Sequence, residues 1–517
     1  MSEAPVSLLP ELQGWQLPAP SADGLSESER QTIIGLSARL GVQTYDMRLS
    51  RMYYEGTQRL ANLGVSIPQQ LAAVRVIVDW PRITVDPLSQ RAIVAGFRLP
   101  GATDADSELM EHWQANGMDA ESPLCFLDSL ICGRGYMVVG SPDQPGDSPL
   151  ITVESPLNMS VQWNPRTRKA MSAYQAYEAE GQFFAALYLP NETITMTRQD
   201  MSADQWRVVD RDQHNFGEVP VIRFPNRPRS DNREGSSEIT PAIMNTTDSA
   251  CRSLLAMEIA REFYAIPHRY ILGATESDFQ NADGTPKRAL DMVMSKFLAF
   301  ERDENGDAPS VGQFQAFDPS VFTKIIDKHA QLMASYTQFP PAWFGQDSTA
   351  NPASADAIRV AQDGVNRRAR QVQNQFSDPL EDVMRLVWRF AHDGAELPPE
   401  MMRMETDWVP VETRTPSADT DALLKQVQMG AVPATSDITL ERLGYSSMER
   451  ERLQIDRKQD IGESVLAELA TSLQAKEARV DTTIAHDINP KAAEAKTGTA
   501  PATPASGASD DPAAGAS

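Results

Sequence analysis

The stretch GSSEITPAIMNTTDSACRSLLAM, residues 235–257, marks the point where the chain turns from strands to helices. Thr240 is a good N-cap, and Pro241 suits the first helical position, where no N–H is needed. Ile243, Thr247, Ala250, Leu254 and Met257 then recur at spacings of 4, 3, 4 and 3, which predicts a helix stopped by Pro267. Upstream, from Arg91 to Phe224, short apolar or alternating runs dominate: Ala92–Ala95, Tyr136–Val139, Leu150–Val153, Phe183–Leu187 and Val219–Phe224. Turn signals at Ser141-Pro142-Asp143, Asn164-Pro165-Arg166 and Pro190-Asn191 separate them, so antiparallel hairpins are expected. Helices at Ser107–Asn116 and Pro123–Cys132 interrupt the strands. The fold class is α+β.

Outside this stretch the periodicity is mostly helical. Ser26–Glu55 carries acids in its first turns and then Ile33, Leu36, Leu40, Met47 and Met52, which predicts one long helix. A second is expected over Gln69–Trp80. Beyond Pro267, residues 274–317 mix polar turns with a short helix near Ala289–Ser295. Asp318-Pro319 opens a helix with Phe322, Ile325, Leu332 and Tyr336 on one face, until Pro340-Pro341 ends it. A polar loop, 345–353, precedes Ser354, from which Ile358, Ala361, Val365, Ala369, Val372, Phe376 and Leu380 recur every three or four residues. That long helix should end near His392-Asp393-Gly394, with a kink or break around Pro379. A smaller helical region covers Asp419 to Leu473. From Pro490 the chain is Ala, Thr, Pro, Ser and Gly, a composition that cannot bury enough apolar surface to order itself. No repeat of fixed period is present.

Composition narrows the function. In 517 residues, Lys plus Arg is 47 and Asp plus Glu is 71, a net charge of −24. Such a surface repels nucleic acid at long range, which argues against a sequence-reading DNA binder but not against a protein that DNA must slide past. The 3 cysteines, Cys125, Cys132 and Cys251, form no C-x-x-C pair, so neither a disulfide framework nor a cysteine zinc site is expected, and a reducing compartment fits. Met1–Gly24 carries acids and prolines rather than a basic stretch and an apolar core, so no signal peptide is expected. No apolar run approaches the length of a membrane span.

The search for catalytic chemistry is negative: there is no phosphate loop of the G-x-x-x-x-G-K-[ST] type, no G-x-S-x-G elbow and no H-E-x-x-H helix. The six histidines (His112, His214, His268, His329, His392, His486) are scattered without ligand spacing. Gly133-Arg-Gly135 precedes a strand instead of opening a helix after one, so it reads as a tight turn rather than a dinucleotide cradle. Asp303–Asp307 lacks the twelve-residue loop of a calcium site and reads as a solvated turn. No catalytic residue, cofactor or metal is expected. Two basic clusters stand out, Arg223, Arg227, Arg229 and Arg233 on a Pro-rich loop, and Arg359, Arg367, Arg368 and Arg370 on the long helix. Ion pairs within or between subunits are favoured over contact with a nucleic-acid backbone, because neither cluster interleaves aromatics.

Several segments in order resemble one family. They are Arg51-Met52-Tyr53-Tyr54-Glu55-Gly56 with Gln58-Arg59-Leu60, Gly135-Tyr136, Pro220–Phe224, Gly235–Pro241 and Phe344-Gly345. The last of them is Asn351–Arg359 entering the long helix. Together, over about residues 27–480, they are similar to the portal proteins of tailed double-stranded DNA phages, especially those of actinobacterial hosts. The resemblance implies a portal fold with an α/β wing, a helical stem, a small clip insert and a helical crown. Mapped by order, 1–26 is a lead, 27–239 the wing, 240–273 and 318–340 stem helices, and 274–317 the clip. Residues 341–356 form the tunnel loop, 357–400 a long wing helix, 401–489 the crown and 490–517 a disordered tail.

The resemblance further implies a ring, commonly of twelve subunits, at one capsid vertex of the virion, assembled in the host cytoplasm. DNA passes through its axis without sequence specificity during packaging and ejection. The implied partners are the terminase large subunit, a head–tail adaptor, and the major capsid and scaffolding proteins. Gln346, Asp347, Ser348, Thr349 and Asn351 would face DNA from the tunnel loop. Arg359, Arg367, Arg368 and Arg370 would make contacts between subunits or with the DNA backbone. The outer strands of 274–317 would join a neighbour's sheet, since an isolated strand pair is marginal in water. The competing readings are another head–tail assembly component, such as a minor capsid or adaptor protein, and an enzyme whose site carries no familiar motif.

Overall fold

Ser26 starts the first helix with a capping box: its Oγ accepts from the Glu29 N–H at 3.3 Å while Glu29 Oε2 accepts from the Ser26 N–H at 2.8 Å. The helix that follows, α1, runs Glu27–Tyr54, about 42 Å at the usual rise. It is long enough to serve two cores. Ile33 and Leu36 pack on a five-stranded sheet, whereas Met47 and Tyr53 enter the helical core. The computed structural model describes residues 24–58, 76–264 apart from 103, 143, 145, 180–181 and 199–205, then 269–272, 310–313, 318–345, 355–412 and 416–445, with a few residues beyond. Residues up to Glu412 form one unit and those from Thr413 another.

In the first unit the elements after α1 are α2 (Trp80–Ser89), β1 (Val94–Arg98), α3 (Ser107–Ala115), α4 (Met118–Cys132), β2 (Arg134–Gly140) and β3 (Leu150–Glu154). Five strands follow as a meander: β4 (Met159–Trp163), β5 (Ala170–Ala179), β6 (Gln182–Tyr188), β7 (Thr193–Arg198) and β8 (Arg207–Asp212). β9 (Val221–Pro225) returns to pair with β2, making a sheet of order β3-β2-β9. Every one of these pairings is antiparallel, as the hairpin reading requires.

β2 shows how the layers stack. Tyr136 and Val138 face the five-stranded sheet, where they meet Val161, Ala173 and Tyr188, while Met137 and Val139 face the helices. One alternating strand thereby joins two cores. The helical core is centred on an aromatic cluster from α4, β9 and α7 (Ala355–Ala391): Phe126 stacks on Phe376 with centroids 5.1 Å apart, and Phe224 meets them at 6.0 and 5.9 Å. Val365, Ala369, Val372, Phe376 and Leu380 are all buried, the face the spacing predicts.

The helical hairpin comprises α5 (Pro241–Tyr264) and α6 (Ser320–Thr337), packed together. Thr240 caps α5 with its carbonyl, which accepts from the Met244 N–H at 3.0 Å. β10 (Arg269–Leu272) follows α5 and pairs antiparallel with β11 (Ser310–Gln313), which precedes α6. The second unit contains α8 (Pro416–Gln428) and α9 (Asp437–Arg442), the latter capped by Ser436, with Leu423 and Leu440 buried.

Several expectations need correction. The second helix begins at Trp80, where it was expected to end: Val76–Asp79 are not helical, Pro81 occupies its first turn, and the remainder of the expected span lies outside the described residues. α4 starts at Met118 and carries Pro123 inside it. Strands β4, β5, β7 and β8 were not singled out at all. α7 is not broken at Pro379. The strand that follows it holds the region in register, with Trp408 Nε1 donating to Ser377 Oγ at 2.8 Å and the Thr406 N–H to Glu381 Oε1 at 3.3 Å. β11 pairs within its own chain; the rest of 274–317, including the expected helix near Ala289, is outside the described residues, as is 490–517. Residues 401–412 pack with the first unit, because β12 (Glu405–Trp408) pairs with β1 and Met401, Met404 and Val411 join the helical core.

On α6, the face expected from the spacing is part exposed and part half-buried: Ile325 and Tyr336 are 40% and 48% exposed, Phe322 and Leu332 are half-buried, and the neighbouring Val321 is 54% exposed. Ala330, Met333 and Ala334 are the residues the helix buries.

The Asp128 carboxyl on α4 is half-buried. Burial pushes the Asp128 carboxyl up to about 6 from 3.8, partly offset by the Arg51 guanidinium. The native state therefore holds this proton more tightly than the unfolded chain, and stability falls as pH rises from 3.8 to about 6. Asp128→Asn is expected to stabilise the protein above that window by on the order of 1–3 kcal/mol. Thermal midpoints measured across pH should converge with wild type as the pH approaches 3.8.

Candidate functional site

The loop between β9 and α5, residues 226–240, draws five elements together. Gly133, in the left-handed region at φ +88°, ends α4, and its carbonyl accepts from the Asn226 N–H at 2.9 Å. The Ser236 N–H donates to the Asn226 carbonyl at 2.7 Å, and the Glu238 N–H to the Leu130 carbonyl at 2.9 Å. Gly235 sits at φ +99°, and a Cβ there would lie 2.0 Å from the Gly133 oxygen. Only glycine fits this approach.

Two carboxylates in the loop collect the nearby arginines. Glu234 meets Arg39 of α1 at 2.9 Å, Arg134 of β2 at 2.5 Å and Arg223 of β9 at 3.1 Å. Arg223 also lies over the Trp163 ring at 4.1 Å. Glu238, only 2% exposed, binds Arg368 of α7, Arg227 at 2.7 Å and the Asn226 side-chain amide at 2.9 Å. Burial alone would raise the Glu238 carboxyl, but the Arg368 and Arg227 guanidiniums outweigh it and hold the group below its usual range. Charges this deep are tolerated because they are paired.

The arginines of the two clusters therefore divide. Arg368 is committed to Glu238 and to the Asn226 side-chain oxygen, at 2.7 Å, and is 11% exposed. Arg367 is exposed and pairs with Asp363 at 2.5 Å, and Arg370 pairs with Glu412. Arg229 pairs with Asp231 at 3.2 Å on the surface, and Arg233 is exposed. Arg359 lies on α7. Gln346, Asp347, Ser348, Thr349 and Asn351 lie outside the described residues, but both ends of their loop are anchored. On one side Phe344 is buried edge-on against Trp80 at 6.2 Å. On the other, Gly364 of α7 lies against the backbone that ends α6, where a Cβ would fall 2.2 Å from the Gln338 oxygen.

The sequence model of the family described as "Phage portal protein, SPP1 Gp6-like" matches residues 44–441 of the chain. That span reaches from α1 to α9. The chain belongs to the phage portal protein family. It is 36% identical over 420 residues to the portal protein of Mycobacterium phage D29, covering 80% of this chain and 85% of the relative. To the portal protein of Mycobacterium phage L5 it is 34% identical over 417 residues, with 79% and 84% covered.

Within this portal chain, the resemblance was carried partly by Gly235–Pro241, and the structure gives that segment a physical role. Sequence reading noted its glycine and its helix cap, but missed Glu234 and Glu238 as the partners of the basic clusters. Among the described residues, no group of His, Cys, Asp and Glu is arranged to hold a metal, the three cysteines are buried free thiols, and no helix is long and apolar enough to cross a membrane.

Removing one partner from a buried ion pair leaves the other charge uncompensated, at a cost of about 3–5 kcal/mol. Arg368→Ala and Glu238→Gln are each expected to destabilise by this order in denaturant unfolding. Because the Glu238 carboxyl is held low, the loss from Glu238→Gln should be full above the usual glutamate range and shrink as pH falls through the depressed value. Arg367→Ala, at an exposed pair, should change stability by only about 0.5 kcal/mol.

Proposed function

We propose that copies of this chain close into a ring at one capsid vertex and that double-stranded DNA passes along its axis during packaging and ejection. The family match over residues 44–441 is the observation that carries this reading. Twelve subunits is the number the family favours. The chain contributes no catalytic group. The motor chemistry belongs to the terminase large subunit, which docks on the clip, 274–317; a head–tail adaptor later takes that place. The wing, 27–239 with α7, faces the major capsid and scaffolding proteins. The stem is α5 and α6, and the crown is 401–489.

The exposed apolar side of α6 supports a ring. Val321, Ile325, Leu332 and Tyr336 share one stripe at helical spacing, turned away from the small residues that pack on the chain's own core. A head-to-tail contact that closes is heterologous, so this stripe needs to meet a different surface of the next copy rather than itself. The net charge of −24 suits a conduit, since many lysine or arginine contacts with phosphate would brake the DNA. The tunnel loop, with Gln346, Asp347, Ser348, Thr349 and Asn351, offers neutral or negative groups to that backbone.

Negative-stain microscopy of the purified chain is expected to show rings with a central hole. Ile325→Asp, at an exposed position, should leave the monomer's stability within about 0.5 kcal/mol but abolish rings. Rings that persist would remove α6 from the subunit contact. Replacing Asp347, Ser348 and Thr349 by Lys should leave rings intact and slow packaging, because each subunit then adds phosphate contacts. Packaging at the normal rate by such particles would show that the loop does not meet DNA.

A further inference from the structure

The hairpin that joins β4 to β5 ends in a cationic turn, Asn164-Pro165-Arg166-Thr167-Arg168-Lys169, which the ring function leaves unused. Residues 165–169 are all exposed. Between Glu154 and Glu178 the chain has no acidic residue, in a protein whose net charge is −24. Lys169 reaches Glu218 at 3.3 Å, but that carboxylate is already bound to Arg389. Among the described residues, Arg166 and Arg168 have no carboxylate partner.

The turn is held rigidly. Asn164 Oδ1 accepts from the Arg166 N–H at 2.9 Å and from the Thr167 N–H at 3.1 Å. The Arg168 N–H donates to the Asn164 carbonyl at 2.8 Å, and the Asn164 N–H to the Lys169 carbonyl at 2.9 Å. Within this frame Arg168 lies in the left-handed region at φ +59°, where glycine or asparagine sits at less cost. The strand beneath is pinned where Arg223 lies over the Trp163 ring. A backbone outlier that carries an unpaired cation points to a function for the cation. Blocking of the edge strand is not that function. Edge-blocking charges sit along the ladder, and these lie beyond its last pair, Trp163 with Ala170.

We propose that this turn is a contact for the phosphate backbone of duplex DNA, made by the Arg166 and Arg168 guanidiniums with the Lys169 ammonium beside them. Guanidiniums take phosphate through paired hydrogen bonds, and such contacts carry no sequence information. A protein partner would want an apolar centre to its interface, and residues 164–169 hold no large apolar side chain. At about 0.1 M salt the repulsion of the acidic surface is screened beyond ~10 Å, which leaves the charges of the turn to act at contact. With its sheet assigned to the wing, the turn holds DNA outside the channel and does not brake the duplex within it.

Chromatography of the purified full chain on immobilised random-sequence duplex DNA tests this, because column retention registers weak contacts. It needs no ring, so a failure of ring closure is read separately, by microscopy. Wild type is expected to be retained at roughly 50 mM salt, where each phosphate contact contributes about fifteenfold in affinity. Arg166→Gln combined with Arg168→Gly removes two contacts and should lower the slope of log affinity against log salt by about 1.8. Arg168→Gly alone is expected to elute earlier while raising the thermal midpoint, a combination that a structural role for the arginine does not give. If the double variant is not folded by circular dichroism, Arg166→Gln alone decides. The proposal is overturned if the wild-type chain passes through unretained, or if the folded variants elute at the wild-type salt. It is also overturned if polyglutamate strips the chain from the column as well as free duplex DNA of equal charge, which would make an acidic protein the partner.

Discussion

Glu238 carries the architecture. It is a buried carboxylate that must be compensated, and the two guanidiniums that compensate it come from residues far apart in the sequence, Arg227 beside β9 and Arg368 in the middle of α7. Its backbone N–H meanwhile donates to the Leu130 carbonyl and so closes the last turn of α4. One residue thus fixes the positions of a strand end, a helix end and a long helix. Apolar residues of similar volume could fill the same space at no loss of stability, but they would not demand these three partners. What the ion pair adds is a single allowed register between α4, β9 and α7, and Gly133 and Gly235 permit the backbones to come close enough for it.

From that register the remaining layers follow. α4 and β2 are joined at Gly133 with no intervening loop, so fixing the end of α4 also fixes the start of β2. The alternation of β2 then decides which sheet face each core receives: Met137 and Val139 the helices, Tyr136 and Val138 the meander. Glu234 repeats the arrangement at the other end of the same loop, tying α1 through Arg39 to β2 and β9. The long helix α1 is then held over both cores by Arg39 in its middle and by Arg211, which binds Glu29 at its start.

Much of this was legible in the residues, and the failures have physical reasons. Helix starts were readable because caps are local: Ser26, Thr240 and Asp318-Pro319 all open helices where expected. Long apolar repeats such as Val365–Leu380 were equally plain. Strands β5, β7 and β8 carry Gln, Thr, Arg and Asp at many positions, so no apolar run marks them. The alternation in Thr193-Ile-Thr-Met-Thr-Arg198, buried at every second residue, was the available signal. Glu234 and Glu238 sit among Gly, Ser and Asn in a loop, where a charged residue ordinarily faces water. Only the convergence of Arg39, Arg134, Arg223 and Arg368 makes the burial of Glu238 and the partial burial of Glu234 sensible, and no local pattern encodes it. The proposed role of Gln346 to Asn351 in a tunnel loop rests on the family resemblance alone, since a polar stretch of sequence has no further local signature.

α6 carries an apolar stripe of another kind. Val321, Ile325, Leu332 and Tyr336 lie along one side of the helix, and an apolar stripe seeks a partner. The residues that α6 buries in the helical core are Ala330, Met333 and Ala334, two of them small. A helix that packs small residues inward and leaves large apolar ones outside costs its own chain buried area. In a chain that works alone such an arrangement is a liability, whereas in a closed ring every exposed stripe but none of the chain's own core is available to the next copy. Under the proposed ring, the contact with the next copy would be what turns the apolar side of α6 away from its own chain's core.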